Sequence, residues 1–597
     1  MASVSTPTRR TPGMEDWKAI RRPSGEKTPC EPAASRSSAA SSESPRQAQA
    51  TIIFFIVLLF YHKKVLWDEQ KNIRFTTTIW YTRRMNITRR NFFIGGVAGA
   101  LGAFGGNRFF ASAGLKVDGK PKLRFGVVSD IHIRYVGADG KMEGKNRNNL
   151  TFKHTLEWFR DQNVDVVMIA GDMADQGMDE HLLAVAQAWY AVFPDDKYPN
   201  GRPVTKMFVT GNHDWDGFTY HDAAKKAYPD EQERAKHILR KDMAGWWEKA
   251  FHESYSPIFS KTVNGYTFIG SHWDSGTPDD PSGKKTYPFG RIEDFMAKNG
   301  KSINPALPFF YVQHPHPMNT CYGPWAWGHD KGIVTKTLSA YPNAVAFSGH
   351  SHYTLTDERS IWQGAFTSVG TSSLRYTGTP YYEHPPAGFE NSASVGARTA
   401  WRQDSVKMMA KIPTFDCRQG MLWSVYDDCI VVKRREFLSN LDLGDDWVMP
   451  LPAAESKPFA FAEHAKKFHA PEFMAGAELT VTRVKAKTRG GRSRDGKEKI
   501  KPAKKAAFRV ATPLVVPDKN ARLFKLEFVA ETADGKKVTK LTLAPGFNHS
   551  LTHPNVKDAP FCQFALDELG KGDIRFTATP INCFGQRGKS ISATAKI

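Results

Sequence analysis

Five short apolar runs, each closed by a cluster of Asp, His or Asn, restrict what this chain can fold into more than any other feature. Lys122 to Val128 ends at Ser129-Asp130-Ile131-His132, and Val164 to Ala170 ends at Gly171-Asp172. Lys206 to Thr210 runs into Gly211-Asn212-His213-Asp214, Pro308 to Val312 into Gln313-His314-Pro315-His316, and Ala344 to Phe347 into Ser348-Gly349-His350-Ser351-His352. Between the first two, Asn149 to Gln162 spaces Phe152, Leu156 and Phe159 as one face of a helix, and a second apolar stretch runs from Leu182 to Phe193. Strand, helix, strand in repetition predicts a layered α/β fold. In such folds ligands gather beyond the carboxyl ends of the strands. A lone His or Asp at a strand end is usually a loop residue or a helix cap, but five ends in series point to one shared site.

The series D-x-H, G-D, G-N-H-D, H and G-H-x-H resembles that of the calcineurin-like metallophosphoesterase superfamily, over Leu123 to His352, with strand-forming residues continuing to about Phe437. The resemblance implies an α/β sandwich holding two divalent cations, manganese, iron or zinc, on oxygen and imidazole donors. By the same resemblance Asp130, His132, Asp172 and His352 hold the first cation; Asp172, Asn212, His314 and His350 hold the second, with Asp172 as bridge. Gly171, Gly211 and Gly349 suit sharp bends beside these ligands. His316 and His272 stand close to the motifs, with pocket-lining and structural roles both open.

The implied activity is hydrolysis of a phosphomonoester or phosphodiester by metal-bound hydroxide, the two cations lowering the pKa of water and clamping the phosphoryl oxygens. His213 resembles the residue that contacts phosphate and assists the leaving group, with Asp214 orienting it. Purple acid phosphatases carry a tyrosine after the bridging Asp; here Gly171-Asp172-Met173-Ala174-Asp175 has none, so no tyrosinate chromophore is expected. A rival from another class is a cell-surface binding protein acting through its carboxyl-terminal part, with the metal domain as scaffold.

The 597 residues predict more than one folded unit. Residues 1–84 lack an apolar period and read as disordered, or as preceding the true initiator; their run Thr51 to Tyr61 falls short of the roughly twenty residues of a membrane span. Residues 85–113 pair Arg89-Arg90 with an apolar Gly/Ala-rich stretch and a small-residue triplet, Ala111-Ser112-Ala113, and resemble a twin-arginine export signal. The expected location is therefore the periplasm or the exterior, with residues 114–460 as the metallophosphoesterase domain.

Residues 470–597 show short alternating runs separated by turn signals, among them Leu479 to Lys487, Leu523 to Glu531, Lys536 to Ala544, Ile574 to Ile581 and Ser590 to Ile597. These predict a β-sandwich that looks like a fibronectin type III module. The formal charge of +21 is concentrated in part between Arg483 and Arg509. No aromatic interleaves that strip before Phe508, so it reads as a solvated loop rather than a nucleic-acid surface, with contact to the cell envelope as its other use. Six cysteines without a CxxC pair argue against thiolate metal binding; Cys417 with Cys429 and Cys562 with Cys583 are conceivable bridges in an exported protein. Tyr322, Trp325 and Trp327 belong to Gly/Pro-rich loops expected to rim the pocket, where packing on the scaffold is favoured over stacking on substrate.

Overall fold

The computed structural model describes residues 119–136, 141–142, 147–215, 221–273, 291–321, 332–378, 406–407, 417–488, 491–492, 499–500, 504–544, 546–553 and 559–597. The readings for residues 1–84 and 85–113, and for Tyr322, Trp325 and Trp327, lie outside these.

Two mixed sheets form the α/β part. In the first, the order is Leu441–Asp442, Cys429–Glu436, Gln419–Val425, Leu123–Val128, Val166–Ala170, Thr205–Val209, with Trp447–Pro450 also pairing Cys429–Glu436. The last three of the ordered strands are parallel neighbours, whereas Gln419–Val425 and Cys429–Glu436 add antiparallel. The second sheet runs Ile361–Gln363, Thr367–Gly370, Ala344–Ser348, Phe309–Val312, Tyr266–Ser271, Ile258–Val263, and its middle four strands are parallel.

Side chains alternate between two covered faces, which explains why the central strands are buried at nearly every position while the edge strands Ile258–Val263 and Leu441–Asp442 are not. Phe125, Val127, Met168 and Met207 of the first sheet share one apolar cluster with Phe268, Phe310 and Phe347 of the second. The Phe125 ring touches Phe268, Phe310, Phe347 and Trp423 at centroid distances of 4.7–5.9 Å. Burying one such ring contributes about 1.5–3 kcal/mol. The alternate residues Val128, Val167, Ile169 and Phe208 face the other way, onto Phe152, Leu156 and Phe159 of helix Arg147–Asp161 and Trp189 of helix Asp179–Val192. On the far side, Phe309, Tyr311, Ala344 and Ala346 pack against Ile292 and Met296 of helix Arg291–Asn299 and Leu338 of helix Ile333–Leu338. The layers are helix, sheet, sheet, helix.

The carboxyl-terminal part builds two four-stranded sheets, one of Thr480–Thr488, Lys504–Ala511 and Phe561–Ala565 with Val406–Lys407 added from within 114–460, the other of Lys537–Leu543, Leu523–Thr532, Asp573–Asn582 and Ile591–Lys596. Both feed one apolar cluster, in which Phe576 meets Phe508 at 5.5 Å and Phe564 at 5.6 Å. The five anticipated runs are strands, and Lys504–Ala511 and Phe561–Ala565 are additional. The solvated-loop reading of the basic strip is thereby corrected: its described ends are strands, because Phe508 and Val510 alternate inward while Lys504 and Arg509 stay outward. No disulfide links the five described cysteines, so Cys417–Cys429 and Cys562–Cys583 do not pair. Cys417 faces His549, and Cys429 packs with Val431 and Val448.

Candidate metal centre

The five strand ends lie at the same edge of the two sheets. Asp130, His132, Asp172, His314 and His352 are buried, and Asn212 and His350 are partly exposed. Five of these seven take left-handed backbone conformations, with φ between 52° and 67° at Asp130, His132, Asp172, His350 and His352. Such conformations cost of order 1–3 kcal/mol each and persist only where the surroundings over-determine them. Here backbone bonds past the strand ends do so: Asp130 N–H donates to Gly171 O and His132 N–H to Asp172 O, both at 3.0 Å, and Gly349 N–H to His314 O at 2.8 Å.

Space, rather than bending alone, accounts for the neighbouring glycines. Gly171 does need its φ of 90°. A Cβ on Gly211, however, would stand 2.1 Å from Asp172 Oδ1, and one on Gly349 2.5 Å from Asp130 Oδ2. The ligand carboxylates occupy the volume a side chain would fill.

The imidazole tautomers follow from the outer nitrogens. His132 Nδ1 donates to Asp175 Oδ1 at 3.0 Å, His352 Nδ1 to Tyr376 O at 3.1 Å, and His314 Nδ1 to Ala170 O at 2.8 Å. Each Nε2 then presents a lone pair inward. Yet His132 Nε2 and His352 Nε2 are 3.1 Å apart, and His314 Nε2 is 3.1 Å from each of Asn212 Oδ1, Asp172 Oδ2 and His350 Nδ1. Asp130 Oδ1 is buried without an acceptable hydrogen bond although His352 Nε2 lies 2.9 Å away. Acceptors crowded onto acceptors in a buried site are repulsive unless cations stand between them. The donors divide into Asp130, His132, Asp172, His352 and Asp172, His314, His350, with Asn212 beside the second group and Asp172 common to both.

Protons compete for the same lone pairs. Burial acts to lower His132, but Asp130 and Asp175 raise it to about 9; burial likewise opposes Asp172, which raises His314 to about 9. Burial acts to raise the Asp130 carboxyl, but His352 and His132 hold it well below the usual carboxylate range. The donor set of carboxylate, imidazole and amide fits manganese, iron or zinc.

His213 stands beside the centre, its ring centroid 4.6 Å from that of His132, its amide donating to Asp172 Oδ1 at 2.9 Å and its side chain 18% exposed. Asp214 does not orient it. The Asp214 carboxylate instead accepts from the backbone amides of Gly211 and Ala174, both at 2.7 Å, and of Met173 at 3.4 Å. Three amides left without partners by the turn need an acceptor, and the buried Asp214 supplies it; burial, then Asp172, pushes its carboxyl up to about 7. The orienting part falls to Asp175, whose carbonyl accepts from His213 Nδ1 at 2.9 Å and whose carboxylate is 3.5 Å away.

Asp175 and Arg375 are the residues sequence reasoning missed. Arg375 Nη1 donates to His132 O at 2.8 Å and sits 3.6 Å from Asp175 Oδ2. The signal for Asp175 was its place three residues after Asp172; Arg375 follows the last strand and carried none. His272 and His316 make packing and hydrogen-bond contacts and do not join the two donor groups. His272 Nδ1 accepts from Thr210 N–H at 3.0 Å among Trp247, Tyr255 and Phe259, and burial lowers it to about 3. His316 bonds the Ser348 and Ser351 hydroxyls at 2.6 and 2.7 Å beneath the last ligand loop. Trp273 stacks over His350 with ring centroids 6.0 Å apart.

Residues 123–354 match the family model described as calcineurin-like phosphoesterase. That match takes in the strand ends that carry all seven candidate donors. No curated protein sequence matches the chain. Among solved structures, a dimetal phosphatase from Danio rerio is 14% identical, over 55% of this chain and 99% of its own, with a TM-score of 0.30. A purple acid phosphatase from yellow lupin seeds is 13% identical, over 56% and 55%, with a TM-score of 0.29. The NAD nucleotidase of Haemophilus influenzae is 12% identical, over 55% and 49%, with a TM-score of 0.21.

Proposed function

We propose that this chain is an exported two-metal phosphoesterase that hydrolyses a phosphomonoester or a phosphodiester. The observation that carries the reading is the convergence of inward-facing lone pairs into two groups sharing Asp172. When bound, a pair of divalent cations supplies an acidified water and neutralises charge on the phosphoryl oxygens. Asp130, His132, Asp172 and His352 would hold one, and Asp172, Asn212, His314 and His350 the other. The chain's own part is to keep these donors rigid, through left-handed turns and outer bonds from Asp175, Ala170 and Tyr376.

His213 is the candidate general acid. The Asp175 carbonyl accepts from its Nδ1 and fixes the ring, and Nε2 is the nitrogen assigned to the leaving group. Residues 85–113 are read as the export signal, 114–460 as the catalytic domain, and 470–597 as a β-sandwich of the fibronectin type III kind that packs on it or contacts the envelope.

The test is cation content and hydrolysis of aryl phosphate and bis-aryl phosphate by protein loaded with manganese, zinc or iron, with Asp172→Asn as control. Uptake of two equivalents that depend on the donors of this centre, and turnover that Asp172→Asn abolishes, are expected. Loaded protein that binds no stoichiometric cation would end the proposal, and full activity in the control would remove Asp172 from it.

A further inference from the structure

A second cluster of metal-type donors lies away from the phosphoesterase centre, where the carboxyl-terminal part meets the first sheet. Cys417 precedes strand Gln419–Val425, and Glu436 ends the antiparallel neighbour, with Gln419 opposite Glu436 in the register. His549 arrives from the loop after strand Lys537–Leu543. That loop is fastened to the α/β part by Gln419 Nε2 donating to Asn548 O at 2.8 Å, and by the Thr356 hydroxyl donating to Phe547 O. Three elements distant in sequence thus deliver a thiol, a carboxylate and an imidazole to one buried point, with relative exposures of 0% for Cys417 and Glu436 and 2% for His549.

The spacing is that of coordinating atoms. Cys417 Sγ is 3.5 Å from His549 Nδ1, and Glu436 Oε2 is 3.2 Å from the same nitrogen. Bonds of about 2.0–2.3 Å in a tetrahedral zinc site place donor atoms roughly 3.3–3.7 Å apart. His553 lies beside the group, its ring stacked on His549 at 4.1 Å. Ser439 Oγ donates to Glu436 Oε1 at 2.6 Å and orients the carboxylate from outside.

We propose that Cys417, Glu436 and His549 bind one zinc-class cation that ties the carboxyl-terminal part to the phosphoesterase domain. A thiolate among the donors selects a softer cation than magnesium or calcium. Donors buried to 0–2% and drawn from three elements distant in sequence fit a structural use for the cation. This site shares no residue with the phosphoesterase centre, so it stands or falls independently of the function proposed above.

The experiment is cobalt(II) reconstitution of the full chain after chelation, read by near-ultraviolet absorption. A thiolate-to-cobalt charge-transfer band is expected in the unaltered protein and in Asp172→Asn, because the phosphoesterase centre offers only oxygen and nitrogen donors. Cys417→Ser should lose the band and one equivalent of bound zinc, and Cys321→Ser and Cys429→Ser should keep both. Absence of the band in reconstituted protein whose thiols titrate as reduced would leave an ion pair with a thiol beside it, and would overturn the site. Persistence of the band in Cys417→Ser would overturn it equally. If Cys417→Ser does not fold, His549→Gln takes its place: the band should shift and one equivalent of bound zinc be lost, and an unchanged spectrum with unchanged zinc content would overturn the site.

Discussion

Replacing Asp175 by Asn isolates the contribution of one charge to the metal centre. The carboxylate is 14% exposed, lies 3.0 Å from His132 Nδ1 and is flanked by Arg375 at 3.6 Å. Burial works to raise its pKa, but Arg375 first and then His132 and His213 hold it well below the usual carboxylate range. Asparagine keeps an oxygen acceptor for His132, so the hydrogen bond survives while its charge does not. Hydrogen bonds to charged groups contribute about 1.5–3 kcal/mol against about 0.5–1.5 for neutral ones. The expected loss in cation affinity is therefore about 1.5 kcal/mol, or about tenfold, at the low end of what outer partners of metal-bound histidine supply. It should fall on the cation held by His132 and spare the one held by His314. Competition titration of manganese or zinc against a chromophoric chelator reads the two affinities, and a thermal melt confirms the fold. A folded variant with both affinities unaltered would refute the reasoning, as would equal weakening of the two.

Three further outcomes are expected. Gly211→Ala must push a methyl toward Asp172 Oδ1, where only 2.1 Å is available, and elemental analysis should find both cations reduced because Asp172 belongs to both donor groups; retention of two equivalents would show that the turn yields. His213→Ala should keep both cations and lose turnover by about 10²–10⁴-fold, and unchanged kcat in loaded protein would deny it a proton-transfer role. Glu358, 16% exposed, sits between Arg434 and His464 and accepts from Trp447 Nε1 at 2.6 Å; burial opposes these partners, and Arg434 foremost lowers it from its ordinary 4.5 to about 2. A depressed folded pKa contributes stability above the unfolded value and loses it as pH falls through the folded one, so Glu358→Gln should cost about 3 kcal/mol at neutral pH and progressively less between pH 4.5 and 2. Denaturant melts at neutral and acid pH give the comparison, and a pH-independent difference would contradict the linkage.

The sequence alone determined the α/β repeat, because strand and helix periodicities are local and the runs at Leu123–Val128, Val166–Ala170 and Thr205–Val209 are bounded by their own turn residues. It also marked all seven candidate donors, since Asp, His and Asn at successive strand ends are legible as letters. What it could not contain is which neighbour each side chain would choose. Asp214 and Asp175 are equally plausible partners for His213 on paper, and only the folded loops turn the former to backbone amides and the latter to His132 and His213. The role of Gly211 as a void for Asp172 rather than a hinge, and the meeting of Cys417 with His549 across 132 positions, are likewise non-local. Such contacts depend on the packing of elements far apart in the chain, and packing is the property that a one-dimensional pattern does not encode.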